Sequence, residues 1–340
     1  MFVSAFLLLS LQVPAQQAPA GVDTAVARHI ASVSSYTPHR VYRSKKKEFS
    51  DFEAMLADVS KGDVVFLGEE HDDPGTHRLE RAALEGIGRR RPSVVLAMEM
   101  FERDVQPKLD DYLAGKISEE EFVKTSRPWP KYTTDYRALV ELAKAKGWPV
   151  IAGNVPRKWA SLVGRKGLAG LDSLGAADRA HVAATLNCPK DKYYDRFKET
   201  MGDMSGHGQK ISAEQVEAMV MRFYEAQCAK DETMGEAIAN ARAKYPDAII
   251  VHVNGSFHSN YAMGTADRAQ RRLPDARISV VSFVPAVDLD NVNGKDIRKQ
   301  GDYIVFTLKP PTPPKSAPAA VPTAPSTPAA PPVTKPNPAP

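Results

Sequence analysis

Cysteine is scarce: Cys188 and Cys228 are the only two in 340 residues. They permit at most one bridge, and the alternative is two reduced, buried thiols. Both fall in consecutive helical segments that can lie antiparallel. No Lys or Arg precedes Arg28, so the basic n-region of a secretory signal is missing. The rest of that signal is present in MFVSAFLLLSLQVPAQQ: an apolar core at Phe2–Leu11, then Val13-Pro14-Ala15 before Gln16. No cysteine adjoins that cleavage position, which excludes a lipid anchor there. No apolar run approaches the ~20 residues of a membrane span. The net charge is only +4, and apart from Lys45–Lys47 the basic residues are scattered. Nothing therefore argues for a nucleic-acid partner.

Hydrophobic residues make up 43% of the chain. That suits one large domain or one domain with a sizeable insertion. The apolar runs and helical segments set out below make it α/β, a mostly parallel β-sheet flanked by helices with a smaller all-helical subdomain inserted. The expected organisation is a signal peptide at 1–15, a flexible arm at 16–38, the domain at 39–309 and a Pro/Ala-rich disordered tail at 310–340. The helical subdomain is placed at about 171–245.

The sharpest stretch is VVFLGEEHDDPGTH. Val64–Leu67 reads as a short buried strand. Glu69, Glu70, His71, Asp72 and Asp73 follow directly, and Pro74-Gly75 turns the chain into a helix carrying His77. Ligands of open α/β sheets sit outside the carboxyl ends of strands. The stretch is thus either a site or a well-capped acidic loop.

Further strands are predicted at Val94–Met98, Pro149–Ala152, Ala248–Val253, Ile278–Pro285 and Asp302–Leu308. The last is expected to arrive by a turn, with an antiparallel option. Helices are expected over Phe49–Val59, Thr76–Arg90, Asp104–Gly115, Ser118–Thr125, Ala176–Leu186, Lys192–Met201 and Ser212–Tyr245. Polar groups recur at strand ends: Glu99 after the second strand, Asn154 and Arg157 after the third. After the fourth, Gly255-Ser-Phe-His258 repeats the form of Gly68-Glu-Glu-His71.

His71, Glu99 and His258 together form a two-histidine, one-carboxylate set. Such a set suits Zn, Mn, Co or Fe(II). Glu70 or Glu69 is then the candidate general base, and Asn154 with Arg157 would face a developing oxyanion. Met201, Met204 and His207, in a glycine-rich loop, offer ligands for a soft metal or a haem iron.

The motifs LGEEHDDPGTHRLE, VLAMEMFERDVQ, PVIAGNVPRKWA, RFYEAQCAKDETMGEAIA and VHVNGSFHSNYAMGT, in this order, resemble the ChaN-like haem-binding family. That family belongs to the Tiki and erythromycin-esterase-like superfamily. The resemblance spans roughly Tyr36–Val287. It implies a periplasmic or secreted protein that binds haem and serves iron uptake, with haems paired between two protomers of a homodimer. It implies a tyrosine as iron ligand, for which Tyr136 and Tyr132 are the candidates, with His207 next. His77, Asn154 and Arg157 complete the expected haem contacts. The superfamily's hydrolytic branches imply another use: a peptidase or esterase built on Glu70, His71, Glu99 and His258. The Pro-rich tail is a candidate tether to outer membrane or cell wall.

Overall fold

The computed structural model describes residues 36–201 and 212–309. The segments predicted as signal peptide and Pro/Ala-rich tail, nearly all of the predicted arm and the His207 loop lie outside the described residues.

Eight strands form one sheet in the order β2-β1-β8-β7-β3-β6-β4-β5. In chain order they are β1 (His39–Arg43), β2 (Glu48–Ser50), β3 (Val64–Glu69), β4 (Val94–Glu102), β5 (Val150–Asn154), β6 (Ile249–Gly255), β7 (Ile278–Ala286) and β8 (Tyr303–Leu308). The helices are α1 (Phe52–Val59), α2 (Pro74–Gly88), α3 (Gln106–Leu113), α4 (Glu119–Ser126), α5 (Arg137–Lys146), α6 (Arg157–Lys166), α7 (Ala176–Arg179), α8 (Lys192–Met201), α9 (Ala213–Lys244), α10 (Thr265–Arg272) and α11 (Gly294–Ile297).

Strands β3 to β8 run parallel, while β1 is antiparallel to both β8 and β2. The last strand is both: β8 pairs in parallel with β7, Val281 opposite Tyr303, and antiparallel with β1, Val41 opposite Val305. Sequence reading missed β1 and β2, because these strands are short and lie at one end of the sheet, where half-exposed residues leave no apolar run. Phe49 belongs to β2, not to the first helix. The expected Ala176–Leu186 helix shortens to Ala176–Arg179.

Alternation along the strands sorts side chains onto two faces. Val65, Leu67, Leu96, Met98, Val251 and Val253 face α2, α3 and α5, joining Leu84, Ile87, Leu109 and Leu139 in the main core. Val64, Phe66, Val95, Ala97 and Ile250 face α9 and α10, packing with Ile238, Ala241, Ala266 and Ala269. This parity carries over to the polar residues at the strand ends. Glu69 follows Leu67 by two, so it points to the α2 side. Glu99 follows Ala97 by two, so it points to the α9 side.

From β3 the chain moves to one side, towards β4 and β5; from β6, the neighbour of β3, it crosses to β7 on the other side. Adjacent strands whose connections leave in opposite directions open a crevice at their carboxyl ends. Glu69 pairs with Gly255 across that crevice.

Candidate active site at the carboxyl ends of β3, β4 and β6

The five polar groups after β3 go separate ways. Asp73 caps α2: its carboxylate accepts from the backbone N–H groups of Gly75 and Thr76 at 3.0 and 3.2 Å. Here the capped-loop reading holds. Asp72 is exposed and paired with Lys131 at 2.7 Å. Glu70 is exposed and accepts from the Ser256 hydroxyl at 3.0 Å. Glu69 is buried, and His71 remains at the surface with 46% of its side chain accessible.

Glu69 is a hub. Its Oε1 meets His71 Nδ1 at 2.5 Å and accepts from the Tyr136 hydroxyl at 2.8 Å. Its Oε2 lies 2.9 Å from His77 Nδ1. Burial works against its charge, but the two imidazoles outweigh burial and hold its pKa below the ordinary value. Burial likewise opposes charge on His71, yet Glu69 first and Glu99 second raise its pKa. His71 Nδ1 is thereby committed to Glu69, and Nε2 is the nitrogen left for the cleft.

The second half of the site is buried. His258 sits between two carboxylates, Nε2 at 3.1 Å from Glu99 Oε1 and Nδ1 at 2.6 Å from Asp231 Oδ1. Asp231 also accepts from the Thr265 and Tyr193 hydroxyls at 2.8 and 2.7 Å. Burial opposes the imidazolium, but Glu99 and Asp231 prevail and hold His258 up at about 10. Glu99, despite burial, is held down at about 2 by His258 and by the Gly255 N–H, which donates to its Oε2 at 2.8 Å.

Gly255 joins the halves. A Cβ built on it would stand 2.7 Å from His71 Nε2 and 3.6 Å from Glu99 Oε2. Only a hydrogen at that position lets the imidazole of His71 lie over the β6 end. The predicted trio of His71, Glu99 and His258 is thus brought together. As metal ligands they are constrained, because both ring nitrogens of His258 already face carboxylates.

The other predicted residues are distributed as follows. Asn154 is buried and structural: its amide donates to the Glu99 carbonyl at 3.1 Å. Arg157 is exposed at the start of α6. Tyr136 and Tyr132 are only 2% and 3% exposed and pack in the main core. The Tyr136 hydroxyl donates to Glu69. The Tyr132 ring packs edge-on against Phe101 and Phe122, and its hydroxyl is buried without a hydrogen-bond partner. His77 is 5% exposed, with Glu80 Oε2 at 3.3 Å and Asp135 Oδ2 at 3.6 Å. Cys188 and Cys228 form a disulfide, with Cα atoms 5.7 Å apart.

Asp231 was missed by sequence reading, although a signal existed. Tyr224, Cys228, Asp231, Gly235 and Ile238 are all buried along one seam of α9 at alternating four- and three-residue spacing. An aspartate in an apolar seam calls for a partner.

Fold and site together define an α/β protein with paired histidine–carboxylate groups at the switch point of a parallel sheet. The chain belongs to the ChaN family of the Tiki superfamily, described as haem-binding uptake, whose model matches residues 55–269. Among solved structures it is similar to ChaN of Campylobacter jejuni, described with cofacial haem binding (TM-score 0.58, 16% identity, covering 80% of this chain and 97% of that one). Weaker similarities are to an erythromycin esterase variant in its open conformation (TM-score 0.41, 11% identity, 73% and 77% covered) and to the type III effector HopBA1 (TM-score 0.42, 10% identity, 75% and 92% covered). No curated protein matches the chain. No described helix is long and apolar enough to cross a membrane.

Proposed function

We propose that this protein binds haem in the crevice above β3 and β6 and serves haem uptake outside the cytoplasm. Membership of the haem-binding-uptake family over residues 55–269 carries this reading. The site adds one fitting group, His71, whose carboxylate-held Nδ1 leaves Nε2 at an accessible position beside the Trp129 ring, 5.0 Å away between centroids. An imidazole oriented by a carboxylate is a common axial ligand of haem iron. Tyr132 and Tyr136 are buried in the core, which favours a more exposed phenol as the iron ligand. Tyr261, three residues after His258, is only part-buried, and the Arg196 guanidinium lies 3.8 Å from its ring centroid. The disulfide supports an oxidising compartment.

Haemin titration followed by visible absorption tests the reading. Saturable binding is expected, weakened at least ~10-fold, equivalent to ~1.4 kcal/mol, in His71→Ala or in Tyr261→Phe. Chromatographic sizing with and without haemin tests the homodimer. An absence of saturable haemin binding would sink the proposal.

A second reading rests on the row Glu99–His258–Asp231. A buried imidazole between two carboxylates, opposite a second histidine–carboxylate pair, suits general acid–base hydrolysis of an ester or peptide. Turnover of activated esters that disappears in Glu99→Gln, with haemin affinity unchanged, would favour it.

A further inference from the structure

Below the crevice, on the α2 side of the sheet, Glu69, His77 and Glu80 converge. Each offers one ligand atom, and these atoms lie within 4.8 Å of one another. His77 Nδ1 is 2.9 Å from Glu69 Oε2 and 3.3 Å from Glu80 Oε2. Glu69, His77 and Glu80 are 1%, 5% and 0% exposed. A single N–H can serve only one carboxylate at a time. Accordingly Glu80 Oε1 has no hydrogen-bond partner although it is buried, and Glu69 Oε2 has only the ion-pair approach of His77 Nδ1. Buried carboxylate oxygens without a donor are costly and rare, and a shared cation would satisfy them.

We propose that Glu69, His77 and Glu80 bind one first-row divalent transition-metal cation. The donor set, one imidazole and two carboxylates, is that of Zn, Mn, Co or Fe(II) sites. Bonds of about 2.0–2.2 Å to a shared ion put neighbouring ligand atoms roughly 3 Å apart, close to the spacing seen here. The outer contacts are also in place. His77 Nε2 lies 3.2 Å from the His71 carbonyl oxygen, which holds a proton on Nε2 and leaves Nδ1 for the ion. Glu69 Oε1 is already engaged by His71 and Tyr136, so Oε2 is the oxygen available. A fully buried site with an imidazole ligand does not suit Mg²⁺ or Ca²⁺, which take oxygen ligands and retain waters. This site differs from the trio His71, Glu99 and His258. It uses one histidine rather than two, and it would brace the carboxylate that orients His71.

The test uses the full chain. Metal content is measured as purified, then Zn²⁺, Co²⁺ and Mn²⁺ are each added to chelator-treated protein. About one equivalent is expected to bind, and Zn²⁺ is expected to raise the melting temperature. Glu80→Gln, which keeps the shape, is expected to weaken binding at least ~10-fold and to abolish the melting shift. Glu99→Gln should leave both intact. Should Glu80→Gln not fold, pulsed EPR of the Mn²⁺-loaded wild type decides. Coupling to one imidazole nitrogen supports the site, whereas coupling to two histidines assigns the ion to His71 and His258 and overturns it. Failure of the wild type to bind any of the three ions, before or after refolding in their presence, also overturns it, as does equal binding by Glu80→Gln.

Discussion

Asp231 Oδ1 lies 2.6 Å from His258 Nδ1, joining the middle of α9, the longest helix among the described residues, to the turn after β6. Both side chains are buried, and His258 is the main compensation for the Asp231 charge, whereas His258 is held by Glu99 as well. Removing Asp231 breaks one half of a buried ion triad and strips the Thr265 and Tyr193 hydroxyls of their acceptor. Asp231→Ala is expected to cost about 3–5 kcal/mol, read by urea unfolding. Asp231→Asn, which keeps the shape and hydrogen-bonding capacity, should cost less. A loss below ~1 kcal/mol for Asp231→Ala would show that the pair is solvated in solution.

The same pair sets a pH dependence. His258 binds its proton more tightly folded, at about 10, than its ordinary value of 6.5. Its stabilisation is therefore complete below about pH 6.5 and fades as pH rises towards 10. Glu99 runs the other way. Held at about 2 against 4.5, it contributes fully above pH 4.5 and loses this as pH falls towards 2. Both contributions are whole only between pH 4.5 and 6.5. The stability difference between wild type and His258→Gln should be largest in that window and shrink on the alkaline side. A difference that stays constant from pH 6.5 to 10 would refute the assignment.

Gly255→Ala tests the junction between the two halves. The backbone at this position has φ −57, so alanine brings no strain. Its Cβ, however, would stand 2.7 Å from His71 Nε2. His71 is half-exposed and can swing outward, so the cost to stability should stay near ~1 kcal/mol. Haemin affinity should fall about 10-fold, equivalent to ~1.4 kcal/mol. Unchanged haemin affinity, with the fold intact by circular dichroism, would place the ligand away from the β6 end.

Legibility followed chain distance. His71, Glu99 and His258 stood out because each follows a short apolar run, and in parallel sheets those ends share one edge. Asn154 stood out for the same reason, yet its amide is spent on the Glu99 carbonyl. Strand-end position places a residue near the site without assigning it chemistry. Asp231 and Glu80 escaped notice because both lie inside helices, where an acidic residue reads as a solvated face. Tyr132 and Tyr136 stood out as aromatic residues near a site, and the structure packs both rings in the core, with the Tyr136 hydroxyl on Glu69.

By itself the sequence determined the parallel core strands, the helices between them, the paired Gly-x-x-His ends and the family, because these depend on local periodicity and short spacings. Tertiary structure alone decided which face each carboxylate entered. Period-two alternation sent Glu69 towards His77 and Glu80 beneath α2, and Glu99 towards His258 and Asp231 beneath α9. One residue of register separates those two environments, and only the packed helices supply the partners that give each carboxylate its charge state.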